Sequence, residues 1–568
     1  MAAAAAVAHH PCSTWRIEVG LVLQRNSRAS GSVMPGLTVL LLSVPAVLMV
    51  GWTVLRAGGE RMLVAPVAAA APVTGAAPTS SASAASRDAK VAGKVVRGFN
   101  SSDVVELARR LATEPPRARG AVTPGLEQLN YDQYRDIRFR VDQALWTKDR
   151  TAFRIDLLPA GFVYTAPVAV AIIEDGVVHA QVSDPAMFEL GPSVPKSLHG
   201  KSLSLSGFRV RTQLNSRQYW DEFLVFQGAS YFRAVGRGQN YGLSARGLAL
   251  QTGDAEGEEF PAFTQFWIEK PAPKATELVI HALLESPSLT GAYLFRVRPG
   301  QDTQMNVEYT LFPRKDLRNV GIAPLTSMFL FDGTNRQRFD DFRYRVHDSD
   351  GLLFTSQGGE QVWRQLANPR NLQLSTFTAE RPRAFGLIQR ARLQADFQDL
   401  EANYEKRPSA WVEFPAGAPP GPLRLVEIPT TRETNDNIVA FWQPRDLLPA
   451  GRSYAGSYLL HWTSESLIKQ PNARFVAARM GTNFEGTRKL IALDLAGAGT
   501  SPDGLALEVS ASGGKVFHPV VQANPTIRGL RASFEFDPDG ASLIEFRVIV
   551  RRKGQPASET WLYRWTPA

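Results

Sequence analysis

Cysteine is almost absent from this sequence, which has 568 residues and a single cysteine, Cys12. One cysteine excludes a framework of intramolecular disulfides and a zinc site built on several thiolates. The common catalytic signatures are missing as well. Residues 242–247 (GLSARG) lack the Gly-x-Ser-x-Gly spacing of a nucleophile elbow. Neither a phosphate-binding loop nor a His-Glu-x-x-His motif occurs.

A strongly basic folded region is also lacking, although the net charge of the chain is +9. The first 97 residues contain nine Lys/Arg and three Asp/Glu, a net charge of +6, and the remainder contains 54 and 51, a net charge of +3. No nucleic-acid partner is therefore expected. Hydrophobic residues make up 44% of the chain, which is enough for a large core, and the length indicates two or more domains.

One long apolar run, residues 36–55, lies in a leader that we assign to residues 1–63. A helix of this length spans about 30 Å, the thickness of a bilayer core. Arginines before the run favour a cytoplasmic position for that side. The run predicts a signal sequence or a single membrane anchor, rather than a core helix, because residues 64–96 predict a disordered Ala/Pro/Ser linker. The remainder is expected outside the cytoplasmic membrane, with membrane contact only through the N-terminal segment.

Helical periodicity is scarce beyond a first helix, for which Asp103 is the predicted N-cap and Glu106 its partner in a capping box. Val104, Ala108 and Leu111 lie on one face of that helix.

Short alternating runs follow, separated by Asp-Gly turns, and residues 171–182 (AIIEDGVVHAQV) predict a hairpin. The fold class is therefore mainly β. We expect a large N-terminal β-sandwich with a cleft over residues 97–464 and a polar connector over residues 465–474. A smaller immunoglobulin-like β-sandwich is expected over residues 475–568, although the Cys…Trp…Cys pattern is absent.

Several segments combine aromatic residues with arginine, asparagine and carboxylates. Sugars offer hydroxyls to the polar groups and an apolar face to the rings, so a groove lined in this way suits a neutral polysaccharide. The alternative for each aromatic residue is core packing, and for each turn aspartate a structural turn. The residues predicted to contact such a substrate are Tyr231, Arg233, Tyr241, Arg246, Glu259, Trp267, Trp363, Arg364 and Trp442.

Glycosidic hydrolysis needs two carboxyl groups, and three pairs are candidates: Glu258/Glu259, Asp348/Asp350 and Glu433/Asp436. Residues 348–351 (DSDG) begin like a calcium loop, but Gly359 stands where that loop needs a glutamate. No metal site and no cofactor are therefore predicted.

In the segments that contain these residues, the sequence resembles the periplasmic glucan biosynthesis family, proteins G and D, which make osmoregulated periplasmic glucans. The matching segments keep one order, and the resemblance extends from Phe99 to the C-terminus, more loosely over the last 95 residues. They are residues 228–249, 257–271, 321–331, 347–352, 362–369, 385–392, 399–413 and 426–444. The leader lacks the paired arginines of a twin-arginine signal.

The resemblance implies a periplasmic enzyme acting on β-1,2-glucan by an inverting mechanism, through endo-hydrolysis or ring-closing transglycosylation. It implies that Asp436, in the ETNDN motif, is the general acid and that Asp348, in the HDS motif, is the general base. In relatives the protons are thought to pass through waters or a substrate hydroxyl. A membrane glucan synthase is a candidate partner. The alternative function is a non-catalytic glucan-binding or scaffold protein that assists glucan synthesis and export.

An inverting site requires a protonated acid and an ionised base, which ordinarily lie roughly 6.5–9.5 Å apart. Burial and the negative charge of Glu433 are expected to favour the protonated form of Asp436.

Overall fold

The computed structural model describes residues 98–356, 358–377, 383–416, 418–464 and 472–567. The predicted leader, the linker over residues 64–96 and residues 465–471 of the predicted connector lie outside the described residues. Among the described residues, no helix has both the length and the apolar character needed to cross a bilayer.

The described chain is built mainly of β-strands, which confirms the predicted fold class. Its α-helices are α1 (Ser101–Ala112), α2 (Tyr131–Arg135) and α3 (Gln394–Phe397). Its 3₁₀ helices are Val141–Gln143, Pro185–Met187, Lys196–Leu198, Arg336–Arg338, Tyr404–Lys406 and Pro525–Ile527.

The strands of the first half are β1 (Ile137–Phe139), β2 (Arg154–Pro159), β3 (Ala169–Glu174), β4 (Val177–Gln181), β5 (Phe188–Leu190), β6 (Leu205–Thr212), β7 (Asp221–Gln227), β8 (Tyr231–Ala234), β9 (Ser244–Arg246), β10 (Leu248–Leu250), β11 (Ala262–Glu269), β12 (Leu278–Glu285), β13 (Leu289–Arg298), β14 (Thr303–Pro313), β15 (Val320–Ser327) and β16 (Phe329–Phe331).

The strands of the second half are β17 (Val346–His347), β18 (Gly351–Thr355), β19 (Gln361–Gln365), β20 (Gln373–Phe377), β21 (Ala384–Ile388), β22 (Ser409–Glu413), β23 (Leu423–Glu427), β24 (Ile438–Trp442), β25 (Tyr454–Thr463), β26 (Arg474–Thr482), β27 (Lys489–Ala496), β28 (Leu505–Ala511), β29 (Lys515–Asn524), β30 (Gly529–Asp537), β31 (Ile544–Arg552), β32 (Gln555–Pro556) and β33 (Thr560–Trp565).

Two large sheets form the N-terminal sandwich. One has the order β2-β6-β7-β8-β9-β15-β24-β23-β20, with β10 also paired to β15. The other runs β19-β18-β21-β22-β25-β14-β13-β12-β11-β3-β4. Phe226 and Phe232 from the first sheet meet Phe295 from the second, with ring centroids 5.1 and 5.3 Å apart. The main apolar core therefore lies between the two sheets.

The predicted hairpin is confirmed as β3 and β4, which pair in antiparallel register across Asp175 and Gly176. Both turn residues have positive φ, 50° and 77°, as a type I′ turn requires.

The predicted cap of helix α1 was wrong by one turn. Asn100 is the N-cap: its side chain accepts from the Ser102 N–H (2.7 Å), and its own N–H donates to Asp103 (2.9 Å). The reason is that Asn100 has extended φ and ψ, whereas Asp103 is already helical and occupies the third position. The predicted apolar face is confirmed, and it packs against the outer side of the second sheet.

The smaller C-terminal sandwich pairs the sheet β26-β27-β30-β29 with strands β28, β31 and β33. These last strands continue the second large sheet, because β33 pairs in parallel with β19. Trp363, Ile388 and Trp411 of the larger sandwich share one apolar core with Phe546 and Trp561 of the smaller one. The two sandwiches are therefore joined by both a sheet and a core.

Candidate functional site

The two motifs that contain the predicted aspartates are anchored to successive residues at the end of β15. The carbonyl of Ser327, the last residue of β15, accepts from the N–H of Asn437 (3.0 Å), and the carbonyl of Met328 accepts from the N–H of Asp348 (2.8 Å). Asp436 immediately precedes Asn437. The motifs, far apart in sequence, therefore lie side by side at the ends of β17 and of the loop before β24.

The asparagine beside Asp436 fixes its loop. The buried Asn437 side chain accepts from the N–H of Phe329 (2.8 Å) and donates to the carbonyls of Phe329 and Ile428, each at 3.0 Å. On the other side, the hydroxyls of Ser349 and Ser327 are 2.9 Å apart. The residues that follow the two aspartates, Asn437 and Ser349, are thus hydrogen-bonded within the site.

Asp348 is buried, with 3% of its surface exposed, and accepts a hydrogen bond from Arg407. Burial raises the pKa of Asp348, and the negative charge of Asp436 raises it further. The charges of Arg407 and Arg233 act in the opposite direction. The two carboxyl groups therefore influence each other and form one electrostatic unit.

Asp436 is less enclosed, and its carboxylate oxygen lies 3.4 Å from a guanidinium nitrogen of Arg233. The negative charge expected from Glu433 is compensated in the structure. Glu433 forms an ion pair with Arg343 (2.7 Å) and accepts from the Tyr404 hydroxyl (2.9 Å). Such a paired carboxylate contributes less repulsion at Asp436 than an isolated one.

Three of the predicted substrate contacts adjoin Asp436: Arg233, Tyr231 and Arg246. Tyr231 and Arg246 face each other across β8 and β9, and the guanidinium lies 4.7 Å from the ring centroid. Burial raises the pKa of Tyr231 to about 12, and the negative charge of Asp436 contributes to this shift. Tyr231 is therefore a neutral hydroxyl near the carboxylate. Arg246 also pairs with Glu258.

Tyr241 lies near Arg233 as well. Burial raises its pKa well above the usual value, and the negative charge of Glu222 acts in the same direction.

The other five predicted contacts are engaged elsewhere. Glu259 accepts from the N–H of Ser288 at 3.0 Å, and Trp267 packs beneath helix α1. Trp363 lies in the core shared by the sandwiches, and Trp442 lies in the main core. Arg364 is buried in an ion pair with Glu427 (2.9 Å). The burial of the three tryptophans agrees with the core-packing alternative for aromatic residues, whereas Glu259 is half-buried.

Sequence reasoning missed three residues that organise the site: Tyr404, Arg407 and Arg343. The first two lie within the matching segment 399–413, which was a usable signal. The guanidinium of Arg407 lies 4.2 Å from the Tyr404 ring centroid. Arg343 joins Glu433 to Asp399, at 2.7 Å from each carboxylate. These ion pairs link residues too distant in sequence for spacing to reveal.

Two exposed aromatic rings flank Arg343. Phe342 and Tyr344 are 75% and 54% exposed, while Arg343 between them points inward to its ion pairs. Their backbone is braced because Arg336 donates to the carbonyl of Asp341 (2.8 Å) and Arg343 binds the Asp341 side chain. Exposed rings next to Arg343 form a surface on which a pyranose ring can stack.

In chemical terms, the site offers two mutually coupled carboxyl groups in different environments, one buried beside Arg407 and one more open beside Arg233. Two neighbouring carboxyl groups in different environments are an arrangement that suits acid–base work. Within the part of the chain that the structure describes, no three His, Cys, Asp or Glu side chains group as metal ligands.

Comparisons with known proteins agree with this organisation. The family model described as "Periplasmic glucan biosynthesis protein, MdoG" matches residues 99–565. The "Glucans biosynthesis protein G" of Shewanella sp. (strain MR-7) is 45% identical over 473 residues, covering 82% of this chain and 87% of that protein. The protein of the same name from Vibrio cholerae serotype O1 (strain M66-2) is 45% identical over 478 residues, with the same coverage.

Proposed function

This chain belongs to the periplasmic glucan biosynthesis protein family, and from that premise we propose that it acts on β-1,2-glucan in the periplasm. The reaction is an inverting one, either endo-hydrolysis or transglycosylation that closes glucan rings. A membrane glucan synthase is the proposed source of the linear chain. The observation that carries the proposal is the anchoring of Asp348 and of Asn437, the residue after Asp436, on the carbonyls of the successive residues Met328 and Ser327.

Asp436 is the proposed general acid. It donates a proton toward the oxygen of the leaving sugar, directly or through a substrate hydroxyl. Its position beside Arg233 and the neutral hydroxyl of Tyr231 supports this role, because both groups can also hold sugar hydroxyls. Arg246 fixes the ring of Tyr231 from the next strand.

Asp348 is the proposed general base. It accepts a proton from water in hydrolysis, or from a sugar hydroxyl in transglycosylation, as that oxygen attacks the anomeric carbon. The hydrogen bond from Arg407 supports the ionised form that this role needs. A single displacement at the anomeric carbon inverts its configuration.

The test uses the purified full chain and linear β-1,2-glucan, with products sized by mass. Short linear products indicate hydrolysis, and products lacking one water relative to linear chains of equal length indicate ring closure. Asp436→Asn and Asp348→Asn are each expected to reduce turnover by about 10²-fold or more, since acid–base catalysis contributes about 10²–10⁴-fold. Asp446→Asn, at an exposed aspartate, is the matched control.

Glucan binding is measured in parallel. Binding retained without turnover in Asp436→Asn supports the acid role. Glucan that is bound but left unchanged by the wild-type chain would instead favour the scaffold function. Full activity in Asp436→Asn would refute the assignment of the acid.

A further inference from the structure

A buried carboxylate of the smaller sandwich reaches into the larger one. Glu559, immediately before β33, is 2% exposed and accepts from both terminal nitrogens of Arg390, at 2.5 and 2.9 Å. The same carboxylate accepts from the N–H of Phe475 (2.8 Å), at the start of the smaller sandwich. Such bidentate pairing fixes the guanidinium in both position and orientation.

Arg390 is held on its other side by the larger sandwich. Its guanidinium lies 3.6 Å from the ring centroid of Trp363, in the core that the sandwiches share. The side chain is therefore clamped between an indole ring and Glu559.

That main chain binds the turn of the HDSD motif. The N–H groups of Arg390 and Ala391 donate to one oxygen of Asp350, at 2.5 and 2.9 Å. The other oxygen of Asp350 lies 3.5 Å from Arg345 and from His347. The N–H of Asp350 donates to the carbonyl of Ile388 (2.8 Å). These contacts fix the turn two residues beyond Asp348.

We infer that the smaller sandwich braces the catalytic turn: Glu559 holds Arg390, the main chain at Arg390 holds Asp350, and Asp350 holds the turn that carries Asp348. Glu559 is thus a positioning residue, distant from the substrate, and the catalytic part of the inference rests on the proposed function. It gives the C-terminal sandwich a role in turnover beyond its own stability.

The test compares two buried carboxylates of the smaller sandwich in the full chain. Glu559→Gln loses the charge that orients Arg390. Asp494→Asn is the matched control, because Asp494 is equally buried (2% exposed) and pairs with Arg479 and Arg531 without contacting Asp350. Melting temperature, amide exchange over residues 346–352, kcat and KM are measured for both variants.

We expect both variants to lower the melting temperature, but only Glu559→Gln to speed amide exchange over residues 346–352. We also expect its kcat to fall about tenfold with KM unchanged, because small misplacement of a catalytic group can cost about 10²-fold. Equal exchange in the two variants would refute the brace, whatever the activity. Faster exchange with wild-type kcat would refute its catalytic role. Absence of turnover in the wild type would refute the proposed function. The comparison of amide exchange between the two variants would then still test whether the smaller sandwich braces the turn.

Discussion

The pKa of Asp348 is subject to two opposite effects. Burial and the nearby Asp436 favour its protonated form, and Arg407 favours the carboxylate, with a net upward shift of the pKa of Asp348. A base must be ionised to work, and the acidic limb of the pH–activity profile reports the ionisation of such a group. That limb is therefore expected above the ordinary value for aspartate, about 3.9.

Arg407→Met removes the favourable charge while keeping an apolar side chain over Tyr404. The pKa of Asp348 should rise further, so the acidic limb of kcat/KM should move to higher pH and activity should be lost first on the acidic side. The measurement is kcat/KM against pH, with the exposed Arg452→Met as control. If the acidic limb of kcat/KM stays at the same pH, the ionisation of Asp348 does not determine it.

At the residue scale, the HDS and ETNDN motifs are local patterns from which Asp348 and Asp436 could be selected, and their catalytic roles stay predictions. They did not identify Arg407, which is 59 residues from its partner Asp348. They also selected Trp363 and Trp442 on residue type alone, and both lie in apolar cores. Whether a tryptophan faces solvent or a core depends on long-range packing, which residue type does not encode.

Helix α1 depends on the reciprocal cap between Asn100 and Asp103. Asn100→Ala is expected to destabilise the helix by about 1 kcal/mol. Amide exchange within residues 101–112 should accelerate about fivefold, in line with that energy. Glu106→Gln is the control, because Glu106 makes an exposed ion pair with Arg109 of little energetic value. Equal effects of the two changes would contradict the assigned cap.

The segment between the 3₁₀ helix Arg336–Arg338 and β17 exposes the side chains of Phe342 and Tyr344 to solvent. Phe342→Ala and Tyr344→Ala are expected to raise KM about two- to tenfold with little change in kcat, since an aromatic contact contributes about 0.5–1.5 kcal/mol. Phe484→Ala, at another exposed ring in the smaller sandwich, is the matched control. An unchanged KM in both Phe342→Ala and Tyr344→Ala would exclude stacking of the substrate on these two rings.

At the element scale, local signals predicted the β3–β4 hairpin, because the Asp-Gly turn lies between its own strands. The cap of α1 was misassigned since Asn100 and Asp103 are both good capping residues, and only the backbone dihedrals distinguish them. The pairing of β19 with β33 had no local signal, because parallel strands need no shared turn.

On the scale of the whole molecule, the shared sheet and core make the larger sandwich dependent on the smaller one. A chain ending at residue 464 would expose the β19 edge and the buried faces of Trp363 and Trp411. Each such side chain contributes roughly 1.5–3 kcal/mol on burial. We expect residues 98–464 to give aggregated protein on size-exclusion chromatography, whereas residues 98–568 should elute as a folded species. A soluble, monodisperse product of residues 98–464 would contradict this dependence.

The parallel pairing of β19 with β33 also sets an order of events during folding. The side chains of Glu360 and Thr560, 200 residues apart, are hydrogen-bonded at this junction. Until the strand Thr560–Trp565 has folded, β19 has an open edge that invites mispairing with other chains. A product that lacks β33 keeps this edge open, so the pairing of β33 with β19 is the step that closes it.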